Sequence, residues 1–189
     1  ALYKFSVAQE KISFFVEPDF FQIFDFQWLS GDKLTALREP NTVVLTQTTA
    51  TKCFGAWEKA LGQTLLLDND PMTVQGVVAD PPVNCDLPLS LAISYSTILS
   101  NKEKFEYQED WGSTSSNDQQ FGLLSDASQF DAANQLIAQV GQKEYSSEGR
   151  GSRGSRQHQL QHFSELHYDD RYGTSATHVI SKSRLWVRS

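Results

Sequence analysis

Two cysteines, one methionine and no long apolar run are what this 189-residue sequence has least of. Cys53 and Cys85 are too few and too far apart for a zinc site or a redox CxxC motif, and they say almost nothing about compartment. The longest charge-free stretch, Leu87 to Asn101, holds Pro88 and several serines and is only 15 residues long. A membrane helix needs ~18 or more apolar residues, so no segment here is expected to span a bilayer. Residues 1–10 lack the basic-then-apolar layout of a secretory signal and no Met precedes Ala1. The expectation is that whatever came before has been removed. There is no GxSxG elbow and no short-period internal repeat.

Aromatic residues, in contrast, are plentiful: 12 Phe, 6 Tyr and 4 Trp within a chain that is 39% hydrophobic. That supply of core material excludes disorder for most of the length and fits one domain or two small ones. The net charge is -7 and unevenly spread, with 9 basic and 18 acidic side chains in residues 1–143 and 7 and 5 in 144–189. An acidic body repels nucleic acid at long range, so a nucleic-acid partner is not expected.

Read along the chain, Lys11–Glu17 is a β-branched and aromatic run stopped by Pro18. Asp19–Asp25 then spaces Phe20, Phe21, Ile23 and Phe24 as a helix, and Phe26–Leu29 returns to extended character before Ser30-Gly31-Asp32. This predicts a first β-α-β unit. A helical turn near Lys33–Arg38 and a strand at Thr42–Thr46 follow. Thr46 is placed to cap a helix running through Cys53 and Phe54, with Gly55 at its left-handed end. Strands at Gln63–Leu67 and Thr73–Val78, around the turn-rich Asp68–Pro71, predict a hairpin. Beyond Pro81-Pro82 an extended run at Leu89–Tyr95 precedes a helical stretch toward Phe105. Trp111–Asn117 reads as loop and Gln119–Leu124 as strand. Asp126-Ala127-Ser128-Gln129 resembles a capping box opening a helix with Phe130, Ala133, Ile137 and Val140 on one face. Ser146–Arg156 reads as a Gly/Ser/Arg-rich flexible linker and Gln157–Phe163 as a closing strand, completing a second β-α-β unit.

The order of several short motifs adds a further reading. Val16-Glu17-Pro18-Asp19-Phe20-Phe21, Phe24-Asp25-Phe26, Gly31-Asp32 and Ala36-Leu37 are followed by Val43-Val44-Leu45-Thr46, Ala50, Phe54-Gly55 and Leu61-Gly62, and then by Val74-Gln75-Gly76-Val77 and Asp80. With Pro82, Asn84, the apolar Leu87–Ser94 and the ending Ser183-Arg184-Leu185-Trp186, this string resembles the MacB-like periplasmic core domain of FtsX-family ABC transporter permeases. It covers roughly residues 12–187. Gln47, where the family usually has an acid, Cys85, where it has a small or polar residue, and the Ser146–Arg156 segment depart from the pattern.

The resemblance implies an α+β fold: a porter-like subdomain of two β-α-β units from both chain ends (1–30 and 112–175), with an inserted sabre-like subdomain (31–111) and a membrane-proximal segment (176–189). It implies a non-enzymatic, extracytoplasmic domain tethered by transmembrane helices of the same permease, with Leu2, Leu185 and Trp186 nearest the membrane. ATP hydrolysis would belong to a separate cytoplasmic subunit or domain, so no cofactor is expected. A periplasmic adaptor or substrate protein is the implied partner, and the intact transporter is expected to be dimeric.

Each chemical motif has a plainer reading beside it. Gly149–Gly154 satisfies GxGxxG, but a helix precedes it where a dinucleotide site needs a strand, so it reads as linker. His158, His162, His167 and Asp169 cluster in sequence, one residue off an inverted zinc-protease spacing. They are the metal candidates of the alternative reading, a free-standing periplasmic hydrolase or metal-dependent enzyme. A stand-alone binding module for peptide or lipid is a third. Asp19, Asp25 and Asp32 suit helix-end and turn roles better than an acid–base pair. Phe20, Phe21 and Phe24 read as core, and any of Trp28, Trp57 or Trp111 left exposed would be a partner contact.

Overall fold

The computed structural model describes residues 3–5, 13–83, 85, 87–107, 120–147 and 158–166. They fall into two compact units, divided between Tyr107 and Gln108. The first unit is a seven-stranded mixed sheet with short helices, and the α+β class is as expected. Its strands are β1 (Tyr3–Phe5), β2 (Ser13–Val16), β3 (Trp28–Gly31), β4 (Thr42–Thr46), β5 (Thr64–Leu67), β6 (Asp70–Val78) and β7 (Leu91–Ser94). The order is β1-β5-β6-β4-β7-β2, with β3 joined to β6.

Strand β4 lies in the middle and all five of its residues are buried. A strand covered on both faces needs apolar side chains at every position, and Val43, Val44 and Leu45 supply them. Two clusters cover the faces. Val43, Leu45, Leu65, Met72, Val74, Val77, Leu91 and Ile93 pack with Ala50 and Phe54 of α2 (Gln47–Phe54). Val44, Val78 and Ala92 pack with Phe21 of α1 (Phe20–Ile23), Ala36, Leu37 and Leu89, and the short α3 (Ser96–Ser100) follows β7.

The local elements follow from short sequence signals. Thr46 Oγ1 accepts from the Thr49 amide at the start of α2, and Gly55 closes that helix with φ 79°. The β5–β6 hairpin turns on Asp68 and Asn69, with φ 48° and 75°. Two successive left-handed residues are what a tight hairpin turn requires, and Asp and Asn tolerate that conformation. Pro71 sits at the second position of β6, where it faces Leu66.

Pairing across the sheet is less predictable. The β2-α1-β3 unit forms at the expected place, but β2 pairs in parallel with β7 and β3 pairs antiparallel with β6. Residues 13–31 therefore share one sheet with 42–94, and no break in the ladder occurs at residue 31. Between Val43 and Val44 the register on β6 jumps from Val74 to Gly76, leaving Gln75 as a bulge. Gly31, with φ 87°, approaches this bulge so closely that an added Cβ would lie 2.3 Å from the Gln75 carbonyl oxygen. A Cβ on Gly76 would lie 2.4 Å from Cζ3 of Trp28.

In the second unit, α4 (Phe130–Ser147) starts where the capping signal placed it, after a 3-10 turn at Ala127–Gln129 whose Asp126 accepts from the Ser128 amide at 2.7 Å. The helix runs two residues into the expected linker, through Ser147; residues 148–157 lie outside the described residues. Two strand expectations are corrected. Residues 120–124 are irregular, and 158–162 are irregular before the short α5 (Phe163–Leu166). Gly122 weakens the first. The second is held by a side chain of α4 instead of a strand ladder: Leu160 N donates to Asn134 Oδ1 at 2.7 Å.

The glycine contacts generate a test. Gly76→Ala forces an overpacked Trp28 and should destabilise the chain by about 1–3 kcal/mol. Gly31→Ala adds a strained positive φ to a backbone clash and should cost at least as much. Urea unfolding midpoints measure both, and an unchanged midpoint for either variant would show that the bulge relaxes freely.

Candidate functional site

The three aspartates that raised an acid–base reading are separate, and two of them have their own local partners. Asp19 accepts from Gln22 Nε2 at 2.6 Å in the first turn of α1. Asp25 is exposed beyond its end. Asp32 Oδ1 accepts from the Leu34 amide and its Oδ2 from the Thr35 hydroxyl, both at 3.0 Å. The Leu34 amide, then the Thr35 hydroxyl and the Arg38 charge, hold the Asp32 carboxyl below its ordinary value of 3.8. Such bonds stabilise the carboxylate, so Asp32 closes the 32–38 turn as an anion.

The histidines that can be placed both pack on α4. The His162 ring stacks on Phe130, with centroids 4.0 Å apart and planes 13° from parallel. His158 lies against Gly141, where an added Cβ would come 2.6 Å from its Cδ2. His167 and Asp169 lie outside the described residues, as do Leu2, Leu185, Trp186, Trp111 and the GxGxxG segment. Among the described residues no three His, Cys, Asp or Glu side chains come together in a way that could hold a metal. Cys53 and Cys85 are not disulfide-bonded.

Of the three phenylalanines expected in the core, Phe21 is buried there, Phe20 packs half-buried against the same cluster, and Phe24 is half-buried outside it. Phe21 is 2% exposed and meets Trp28 edge-on at 5.0 Å, while Phe20 contacts Phe21, Phe24 and Phe26 at 4.9–6.1 Å. Trp57 packs against the opposite cluster. Neither Trp28 nor Trp57 is left as a surface anchor.

One contact escaped the motif reading. Asp80, just past β6, accepts from the Thr48 amide at 3.2 Å and from the Thr48 hydroxyl at 2.9 Å. With Thr46 bound to Thr49, two of the orphan amides at the start of α2 are satisfied, one by the N-cap residue itself and one by Asp80 beyond the end of β6. The available signal was an aspartate after a strand and a threonine-rich helix start; neither alone says that they meet. Asn134 and Gly141 were likewise passed over, although a glycine inside a helical pattern is itself a mark of close approach.

The first unit is thus an α+β domain with a mixed sheet, aromatic packing on one face and, in α2, a helix capped at both ends. Residues 3–140 match the MacB-like periplasmic core domain. The chain belongs to that family, the periplasmic domains of MacB-like ABC transporter permeases. Among solved structures it is similar to a domain described as part of a permease protein from Porphyromonas gingivalis, at 17% identity and a TM-score of 0.49. It is also similar to the periplasmic region of MacB from Actinobacillus actinomycetemcomitans, at 19% identity and a TM-score of 0.45. The matches cover 70% and 75% of this chain, and 58% and 66% of those structures. Comparison with curated proteins returns no match. No helix among the described residues is long and apolar enough to cross a membrane.

The Asp32 turn sets a pH dependence with a definite sign. A carboxyl whose folded pKa is depressed adds stability above its unfolded value and loses it as pH falls through the folded value. The loss therefore begins below 3.8. Carboxyl NMR titration should give Asp32 a midpoint below that figure, and Asp32→Asn should remove this part of the acid sensitivity. A midpoint at or above 3.8 would mean that the turn does not hold the anion.

Proposed function

We propose that this chain is a non-catalytic relay on the outer face of the inner membrane, within an ABC transporter permease. The family match over residues 3–140 carries the reading. Transmembrane helices of the same protein tether the domain through its membrane-proximal ends, Leu2 on one side and Leu185 and Trp186 on the other. A cytoplasmic ATP-binding subunit or domain hydrolyses ATP, and the permease works as a dimer. The partner above the membrane is an adaptor or a substrate protein.

The sheet supports the mechanical part of this reading. Strand β1 is hydrogen-bonded in parallel to β5 and β2 in parallel to β7, and these two strands end the sheet order on opposite sides. Parallel ladders resist sliding along the strand through several bonds at once, so a pull on the first strands moves the sheet as one body. The porter-like part (1–30 and 112–175) and the sabre-like part (31–111) belong to the same proposal. In it, motion passes from the former to the latter through the β2–β7 and β3–β6 ladders.

Replacing residues 3–140 of the intact permease by a Gly/Ser linker tests the relay. Transport should be lost while basal ATP hydrolysis persists, measured on the reconstituted transporter. Transport that continues without the domain would overturn the reading. A stoichiometric metal or a hydrolase activity in the 189-residue chain alone would restore the enzyme alternative.

A further inference from the structure

After β7 the chain turns across one end of the sheet. The start of α3 is fixed to the loop ahead of β4: Asn41 N donates to Thr97 Oγ1 at 2.9 Å, Ser94 Oγ to the Leu37 carbonyl at 2.7 Å and Ser96 Oγ to the Arg38 carbonyl at 3.2 Å. Residues 101–107 then form a further turn with a defined end. The Tyr107 amide donates to the Lys102 carbonyl at 2.9 Å and the Glu106 amide to the Glu103 carbonyl at 3.3 Å. This pair of bonds closes a helical turn on a left-handed residue, and Glu106, with φ 50°, stands where glycine is usual. A side chain persists in that conformation where its surroundings fix it. The two residues just before it are so fixed. The Lys104 ammonium pairs with the carboxylate of Asp70, the first residue of β6, and the Phe105 ring meets Phe15 of β2 edge-on, with centroids 5.4 Å apart. The same ammonium lies 5.8 Å from the centroid of Phe105. In the sheet β6 and β2 are separated by β4 and β7, about 14 Å at ordinary strand spacing. Two neighbouring residues thus join strands that do not pair with each other.

We propose that Asn101–Tyr107 is a brace across this end of the sheet, tying the edge strand β2 to β6 through Phe105 and Lys104. Among the described residues β2 pairs with β7, over four residues. The brace gives β2 a second hold, so that a displacement of this strand reaches β6 directly as well as through β7 and β4. Its left-handed end at Glu106 brings Tyr107 back beside Tyr95, with ring centroids 6.0 Å apart. The brace stands on these contacts alone. Its use, to spread a pull arriving on the first strands, rests on the relay reading.

Amide hydrogen exchange followed by NMR on the whole 189-residue chain tests it. The reporter is the Tyr95 amide, which donates to the Val16 carbonyl at the end of β2 at 2.9 Å. Asp70→Asn changes a residue three strands away, and it should speed exchange at Tyr95 by about threefold or more while the β4 amides are unchanged. Lys104→Met should do the same, and Asp70→Asn should then add nothing, because the link is already cut. Lys104→Arg keeps the charge and should keep Tyr95 protected. An unchanged Tyr95 rate in Asp70→Asn would overturn the brace. So would an effect of Asp70→Asn that persists beside Lys104→Met, or one that β4 shares in full. Failure here leaves the relay reading to be judged by the linker replacement in the intact permease, and failure of that replacement leaves these exchange rates as expected.

Discussion

The extra residue at Gln75 governs how the sheet of the first unit is built. Side chains on a strand alternate with a period of two, so one inserted residue exchanges the faces of everything after it. Met72 and Val74 point to the cluster that includes α2, and after the bulge Val77 returns to that same cluster while Val78 joins the other. An unbroken strand would place Val74 and Val78 together and send Val77 to the opposite side. The bulge is feasible only because Gly31 accepts the protruding carbonyl and Gly76 leaves room for an indole. Trp28 fills that room, and the cost is visible: its Nε1 is buried without a hydrogen-bond partner among the described residues. An unmet donor costs about 1–3 kcal/mol. Burial of the ring contributes at least as much, and its edge contact with Phe21 adds about 0.5–1.5 kcal/mol, so the arrangement stands.

Elements specified by adjacent residues were legible in the sequence. Thr42–Thr46, the Thr46 cap, the Gly55 stop and the Asp126 start of α4 each need only a few neighbouring residues, and each occurs where the signal places it. Contacts that depend on distant residues were not legible. Nothing in Ser13–Val16 specifies Leu91–Ser94 as its partner, and nothing in Val74-Gln75-Gly76 alone announces a bulge. The strand readings at 120–124 and 158–162 failed because weak alternation was given the weight of a ladder, with no partner strand among the described residues to supply one. The histidine cluster was visible as a pattern, yet spacing along a chain does not tell a metal ligand from a ring packed on a helix. His162 over Phe130 and His158 over Gly141 are the latter.

Several motifs that mark the family have structural reasons in this chain. Asp80 binds the first turn of α2, Gly31-Asp32 combines a backbone approach with a turn closed by a carboxylate, and Phe20-Phe21 anchors the aromatic face beneath Trp28. These are packing and capping requirements. They explain how such a string can identify a fold while naming no substrate, since each of these residues has a structural partner of its own.

The same contacts bear on how the domain would carry load. Strand β6 runs through the sheet beside β5, β3 and β4, and Asp80 continues it to the N-terminus of α2. Displacement of β6 is therefore felt by the helix through two hydrogen bonds to Thr48, and by the aromatic face through Trp28 over Gly76. The two glycines make this junction tight: Gly31 brings its backbone directly against that of Gln75 and Gly76, and the Trp28 indole fills the space a side chain on Gly76 would take. Close-packed interiors pass on displacement with little compression. A push that enters at the outer strands thus meets few soft contacts before it reaches α2. Stiffness of that kind makes the sheet of the first unit and α2 move together, which is the mechanical property the proposed relay calls for.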